Sequence, residues 1–415
     1  KYFNWFKDEH IRKYIDYKPY NLIELRNNVK DINKQKNLFF FGIFKKKSHI
    51  GNIKIFQIDN VKRSARLGIL IGDKAYRNKG VGLEVIEEIK KFLLKRGIKS
   101  MWLGLKHSNN NALKLYEKAG FYTFKSTKKY LFMRCNLILS KVIIGGAQIN
   151  SSYGITNFSN KKQTKNEFNK IILFSKKKNI THVDGAENYI YFKDNFKRFN
   201  SSLKIDTKIR ISEVLSFKNL KDKFKKKYNS KGILIDTLYI HDGDNVLENL
   251  NYKKWQILKQ LKKQNIVSKI GVSIYEYNKL KKIFKTFKFD VVQLPYNLVD
   301  RRLENFQKFL KRNNVLIYVR SVFLQGALLH KIESQNELKS IYEKVRQIGI
   351  NQNVSNLYLC LNFVFYNDFI DKFIIGVRNL KDLKQITNCK INLKKIKMNF
   401  SKKEIMIAKY PNKWN

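Results

Sequence analysis

Two hydrophobic patterns succeed one another along the chain, and the change falls near residue 140. Before it, Leu67-Gly68-Ile69-Leu70-Ile71 reads as a strand, and Val85, Ile86, Ile89 and Phe92 then recur at helical spacing. Met101-Trp102-Leu103-Gly104-Leu105 reads as a further strand, followed from about Asn109 by a short helix that Gly120 ends. Beyond Ser140 the pattern becomes repeated strand-then-helix units. Strands are expected at Val142–Gly146, His182–Asp184, Lys204–Lys208, Thr237–His241, Lys269–Ser273, Asp290–Leu294, Leu316–Arg320 and Phe373–Val377. Eight such units predict a (β/α)8 barrel over residues 141–415, with its active site at the C-terminal ends of the strands.

Composition changes this picture little. A chain of 415 residues is long enough for two domains, and 43% hydrophobic with 13% aromatic residues supplies their cores, which argues against a disordered polycation. Charge is the outlier: 85 Lys+Arg against 33 Asp+Glu give a net +52. Such an excess invites a nucleic-acid reading. Yet Lys45-Lys46-Lys47, Lys161-Lys162, Lys176-Lys177-Lys178 and Lys225-Lys226-Lys227 are spread over both domains, with Asn and Ile abundant beside them. These three residue types share A/U-rich codons, so the excess reads as genomic bias, and no specific nucleic-acid partner is expected. A positive field still speeds the arrival of anionic ligands whatever its origin.

Three well-separated cysteines, Cys135, Cys360 and Cys389, build neither a disulfide framework nor a CxxC metal site, so no metal is expected. The default compartment is reducing and cytoplasmic. No stretch reaches the ~18 apolar residues of a membrane span. The chain begins at Lys1 with neither an initiator Met nor a signal-peptide pattern, so a truncated reading frame is one expectation.

Between strand and helix in the first domain lies Arg77-Asn78-Lys79-Gly80-Val81-Gly82. Glycines there let the backbone approach a ligand, and free amides at a helix start favour an anion. On this hexapeptide alone, an ordinary strand-to-helix turn fits equally well. The second motif, Asn109-Asn110-Asn111-Ala112-Leu113-Lys114-Leu115-Tyr116-Glu117-Lys118-Ala119-Gly120-Phe121, shifts the balance. Together the two resemble the GNAT family of acetyl-CoA-dependent N-acetyltransferases over residues 1–138, matching R/Q-x-x-G-x-G/A and N-x-x-A-x-x-x-Y-x-x-x-G-F without gaps. The resemblance implies a mixed α/β sheet splayed open around acetyl-CoA. Backbone groups of Arg77, Asn78, Lys79, Gly80, Val81 and Gly82 would hold the pyrophosphate, Asn109 would help orient the cofactor, and Tyr116 would protonate the departing thiolate. Tyr2 to Ile15 looks like the family's first helix without the strand that normally precedes it. No general base is assignable.

In the second domain the expected strand ends carry Asp184 with Tyr189 beyond it, then Lys208, then His241. One such residue ending a strand is ordinary packing; four in register are not. They resemble the aldo/keto reductase tetrad. Gly145-Gly146-Ala147-Gln148, Tyr153-Gly154-Ile155, Gly271-Val272-Ser273, Gln293-Leu294-Pro295-Tyr296-Asn297, Arg320-Ser321-Val322-Phe323-Leu324-Gln325-Gly326 and Ile375-Gly376-Val377-Arg378 also follow that family. The resemblance implies that Tyr189 protonates a carbonyl oxygen while NADP(H) exchanges a hydride. Lys208, paired with Asp184, would lower the Tyr189 pKa, and His241 would orient the carbonyl. Ser273 and Gln293 would hold the carboxamide, Arg320 would stack on the nicotinamide, and Ser321 would bind pyrophosphate in the loop closed by Gly326. Beyond Gly376, Arg378 and Asn379 would meet the adenosine phosphate. Three positions depart from the family. Gly185 replaces the usual Thr, Ile190-Tyr191-Phe192-Lys193 replaces Gly-x-x-Glu, and Ile274 stands where many members have Asn.

The expectation is a bifunctional enzyme acting on small molecules, with oligomeric state open. A substrate that offers both an amine and a carbonyl is a nucleotide-linked amino-deoxy sugar of surface glycan synthesis, a step resting on analogy. The alternatives are a GNAT head acting on protein N-termini beside an unrelated reductase, or a basic nucleic-acid-binding protein with degenerate enzyme domains.

Overall fold

The computed structural model describes residues 1–147, 164–178, 180–185, 203–228, 234–331, 336–389, 391, 395–396, 398–409 and 414. They form two compact units, Lys1–Ser140 and Lys141–Asn415.

The first unit is built on a six-stranded sheet of β1 (Phe39–Lys45), β2 (Ser48–Asp59), β3 (Ser64–Ile71), β4 (Ser100–Lys106), β5 (Tyr122–Ser126) and β6 (Tyr130–Asn136), in the order β1-β2-β3-β4-β6-β5. Only β3 and β4 run parallel, and they pair only over Ser64–Ser100, Ala65–Met101 and Arg66–Trp102. From Leu67 onward β3 leaves its neighbour, and the sheet opens in a V. Alternation decides the faces. Ile53, Ile55, Ala65, Leu67, Met101, Leu103, Met133 and Cys135 are buried in one core with Ile86, Ile89 and Leu93 of the helix Val81–Lys95. Each such aliphatic side chain contributes about 2 kcal/mol on leaving water. The N-terminal segment differs from the single helix expected. It breaks into Tyr2–Trp5 and Glu9–Arg12, because Asp8 leaves helical geometry to accept the His10 amide at 3.0 Å as an N-cap.

The second unit is a closed parallel barrel of β7 (Val142–Gly145), β8 (His182–Asp184), β9 (Lys204–Ile209), β10 (Leu234–Ile240), β11 (Val267–Ser273), β12 (Val291–Pro295), β13 (Leu316–Arg320) and β14 (Lys372–Gly376), which pairs with β7. All eight expected strands form. Ile143, Tyr239, Val291, Tyr318 and Ile374 pack together as a buried apolar cluster contributed by five of them. Among the described residues no helix is long and apolar enough to cross a membrane.

Candidate active sites

The V between β3 and β4 opens a cleft of about 830 Å³ bordered by Leu67–Ile71, Arg77, Gly80, Gly104, Asn109 and Tyr116. Of the expected cofactor residues of the first unit, Arg77, Asn78, Gly80, Gly82 and Asn109 border this cleft, whereas Lys79 and Val81 do not line it. Asn78 (φ +59°) and Gly80 (φ +82°) turn the chain through left-handed conformations into the helix at Val81. The amides of Val81 and Gly82 precede the first i→i−4 bond of that helix, from the Glu84 amide to the Gly80 carbonyl, so they have no partner within it. Gly82 serves proximity: a Cβ there would lie 2.9 Å from a methyl of Leu115. The Arg77 guanidinium faces away from that task. It donates to the carbonyls of Ile71 (3.1 Å) and Gly72 (2.7 Å) and to Asp8 (2.8 Å), bracing the end of β3 against the N-terminal segment. Asn109 caps the helix Asn110–Lys118, its side-chain oxygen accepting the Ala112 amide at 3.2 Å. Tyr116 is buried, and burial pushes its hydroxyl up to about 12, which keeps it protonated.

At the barrel mouth Lys208 donates to both oxygens of Asp184 at 2.6 Å. The Gln293 amide donates to the same carboxylate at 3.0 Å, and Ser273 donates to the Gln293 carbonyl at 3.4 Å. Four strands thus contribute one hydrogen-bonded chain, and the links from Ser273 and Gln293 to the Asp184 pair were not apparent in the sequence. His241 follows β10. Burial, then the cations Lys208, Arg320 and Arg210, hold its pKa below the usual imidazole range, so it is neutral at pH 7. Arg320 stacks 3.9 Å from the ring centroid of Tyr275 and donates to the Ile274 carbonyl, an aromatic partner the sequence reading missed. Tyr189 lies outside the described residues, as do Gln148, the Tyr153–Ile155 stretch and the departure at Ile190–Lys193.

A cavity of about 420 Å³ runs from Asp184 and Gly145 past Arg320, Ser321 and Gly326 to Gly376 and Arg378. Ser321, Leu324, Gln325 and Gly326 all have positive φ, between 49° and 99°. Within this turn the Leu324 amide donates to the Ser321 carbonyl and the Gly326 amide to the Phe323 carbonyl, both at 2.9 Å, so the loop is held by its own backbone. Arg378 makes an ion pair with Asp382 at 3.1 Å, and Asn379 caps the next helix by accepting the Asp382 amide at 2.9 Å. His330 and Gln385 also border the cavity and were missed, having no motif of their own.

The family pattern of the aldo/keto reductases matches residues 141–405, and the acetyltransferase (GNAT) domain pattern matches residues 1–122. The chain belongs to the aldo/keto reductase family and carries a fused GNAT acetyltransferase domain. Both families are enzymes. Among solved structures, an aldo-keto reductase from Bacillus halodurans in its holo form is 16% identical, with a TM-score of 0.46, over 60% of this chain and 87% of its own. Spermidine N-acetyltransferase from Vibrio cholerae, in complex with CoA and spermine, is 19% identical, with a TM-score of 0.30, over 33% of this chain and 88% of its own. No curated protein matches the chain.

Inside this reductase barrel, two residues before the mouth residues of β8 and β9, lies a second polar group. His182 Nε2 is 2.8 Å from Asp206 Oδ1 and 3.6 Å from Asp236 Oδ2. Lys269 reaches Asp236 at 2.7 Å and Lys204 at 3.9 Å, so side-chain cations already balance the carboxylates. Burial acts to raise the Asp236 carboxyl; Lys269, His182 and Lys204 overcome it and hold the pKa far below the usual range.

Proposed function

We propose that the two domains are two active heads of one cytoplasmic enzyme, acting on a nucleotide-linked amino-deoxy sugar in surface glycan synthesis. The observation that carries this reading is the pairing, in one chain, of an acetyl-transfer cleft with a carbonyl-reduction site. A substrate served by both needs an amine and a carbonyl. In the first head the amine attacks the acetyl thioester and the C–S bond breaks as the amide forms; protonated Tyr116 gives its proton to the departing thiolate and is reprotonated by the proton the amine loses, so the products are the amide and the free thiol. Val81 and Gly82 amides offer the pyrophosphate its cradle.

In the second head the nicotinamide, when bound, supplies the hydride. The cavity bordered by Ser321, Gly326 and Arg378 would hold its pyrophosphate and adenosine end. Tyr189 donates the proton to the carbonyl oxygen, with Lys208, held by Asp184, lowering its pKa toward neutrality. Neutral His241 donates a hydrogen bond that orients the carbonyl.

The test is incubation with acetyl-CoA, NADPH and a panel of nucleotide amino sugars, read by mass spectrometry. A gain of one acetyl group, or of two hydrogens on a keto form, is the expected result. Acetylation of peptide N-termini, with no gain on any sugar, would overturn the reading.

Arg378 sets the cofactor preference, backed by Lys381 and Lys384. A guanidinium–phosphate contact is worth about 1.5–3 kcal/mol, so Arg378→Ala should raise the NADPH dissociation constant about tenfold or more. NADH affinity should hardly move. Equal losses for both cofactors would show that no 2′-phosphate pocket exists at this residue.

A further inference from the structure

The acetyltransferase sheet has a second face, turned away from the helices Val81–Lys95 and Asn110–Lys118, and part of it carries a pattern that neither cofactor site uses. Register aligns Phe56 with Arg66, Arg66 with Trp102, Trp102 with Arg134, and Arg134 with Tyr122. A line across β2, β3, β4, β6 and β5 therefore reads aromatic, cation, aromatic, cation, aromatic. The Arg66 guanidinium lies 5.1 Å from the Phe56 centroid and 5.0 Å from that of Trp102. Lys54 lies 5.0 Å from Phe56, and Arg134 lies 4.4 Å from Phe124. The next row across the sheet, Lys54, Gly68, Gly104 and Phe132, holds the two glycines that border the acetyl-transfer cleft.

Three properties point to a ligand. No acidic residue stands in either row. Among the described residues Arg66, Arg134 and Lys54 have neither a carboxylate nor a hydrogen-bond acceptor, although Arg66 and Lys54 are half-buried. Their positive charge is offset only by aromatic faces, which leaves the guanidinium N–H edges open to an anion. Finally, the rows are two residues apart along the strands, about 7 Å, so a ligand on Arg66 and Trp102 lies beside the cleft.

We propose that this row binds the nucleoside diphosphate part of the acetyl acceptor, with the base stacked on Trp102 and the phosphates on Arg66 and Arg134. The sugar amine then reaches the thioester through the gap at Gly68 and Gly104. This inference rests on the nucleotide-linked reading above and assigns that reading its recognition site. Base stacking on an aromatic ring contributes about 1–3 kcal/mol, and phosphate–guanidinium bonds add directionality.

The experiment titrates the full-length protein with UDP, CDP and GDP by calorimetry, in saturating NADPH and CoA so that both cofactor sites are filled. One of these should bind. Trp102→Ala and Arg66→Ala should each weaken it about tenfold or more, and Trp102→Phe should keep most of the affinity because a ring remains. Acetyl-CoA binding, measured on the same variants without other ligands, should be unchanged, which controls for folding. Absence of binding by all three, or binding indifferent to both alanine variants, would overturn the site. So would a ten-nucleotide uridine RNA that binds far more tightly than UDP through the same residues, since the row would then be a nucleic-acid platform. The two proposals fail differently. Normal acetylation of nucleotide amino sugars by Arg66→Ala, with unchanged KM, would sink the site and spare the function. Diphosphate binding through the row, with no acetylation of any nucleotide sugar, would do the reverse.

Discussion

Tyr189→Phe is expected to lower the rate of carbonyl reduction by about 10³-fold or more while leaving acetyl-CoA binding intact. The ring keeps its shape, and only the proton donor is lost. A free tyrosine near pKa 10 is a poor acid at neutral pH, so in the proposed mechanism the donor would depend on Lys208, which two 2.6 Å contacts pin to Asp184. Lys208→Met should therefore approach the same loss. The pH profile follows from His241, whose pKa burial and its neighbouring cations hold below the usual value near 6.5. The imidazole stays neutral as pH falls to about 6.5, and any acid limb that its protonation causes lies below that. The converse variant, Gly80→Glu, forces a side chain onto a residue at φ +82° and sets a negative charge at the anion cradle. It should abolish acetyl-CoA binding and spare NADPH oxidation. Either substitution removing both activities from a folded protein would refute independent heads.

Most of the barrel was legible because its strands are buried on both faces and read as short apolar runs between helical stretches. β8 and β13 keep their expected bounds, and the ends of the other six moved by one to three residues, as at β10, which starts at Leu234 rather than Thr237. Strand ends also carried Asp184, Lys208 and His241 in chain order, and the structure pairs the first two. What the pattern could not supply was partnership. Ser273 and Gln293 were visible as residues, but their links to Asp184 depend on the closure of the barrel, which places Asp184 beside a residue more than a hundred positions away. Arg320 likewise found Tyr275 across strands. The His182 group had an unused signal: His182 and Asp206 stand two residues before Asp184 and Lys208, and so share their inward face. In the first unit, Met101–Leu105 was legible as a strand, yet the aromatic–cation row needs the register of five strands, which no single strand encodes.

Asp236→Asn should destabilise the barrel by about 3 kcal/mol at pH 7, because it removes the charge that a buried network is built around. The carboxylate is 5% exposed and lies 2.7 Å from Lys269, with Lys204 at 3.9 Å and His182 at 3.6 Å. The amide keeps the shape and leaves those groups without their counter-charge. The sign of the pH dependence follows from the lowered carboxyl. The folded state holds Asp236 ionised far below the unfolded value near 3.9. Between those two values the unfolded chain binds the extra proton, so this stabilisation is complete above about pH 5 and is lost as pH falls. The gap between wild type and variant, read from urea denaturation followed by barrel activity and circular dichroism, should narrow by about 1 kcal/mol between pH 7 and pH 3. A gap that does not change with pH would mean that Asp236 contributes shape rather than charge. Lys269→Met added to Asp236→Asn should recover part of the loss, since the cation stranded by the first change is then gone. If the double variant were weaker than the sum of the two single ones, the pair would not be the source of the stability.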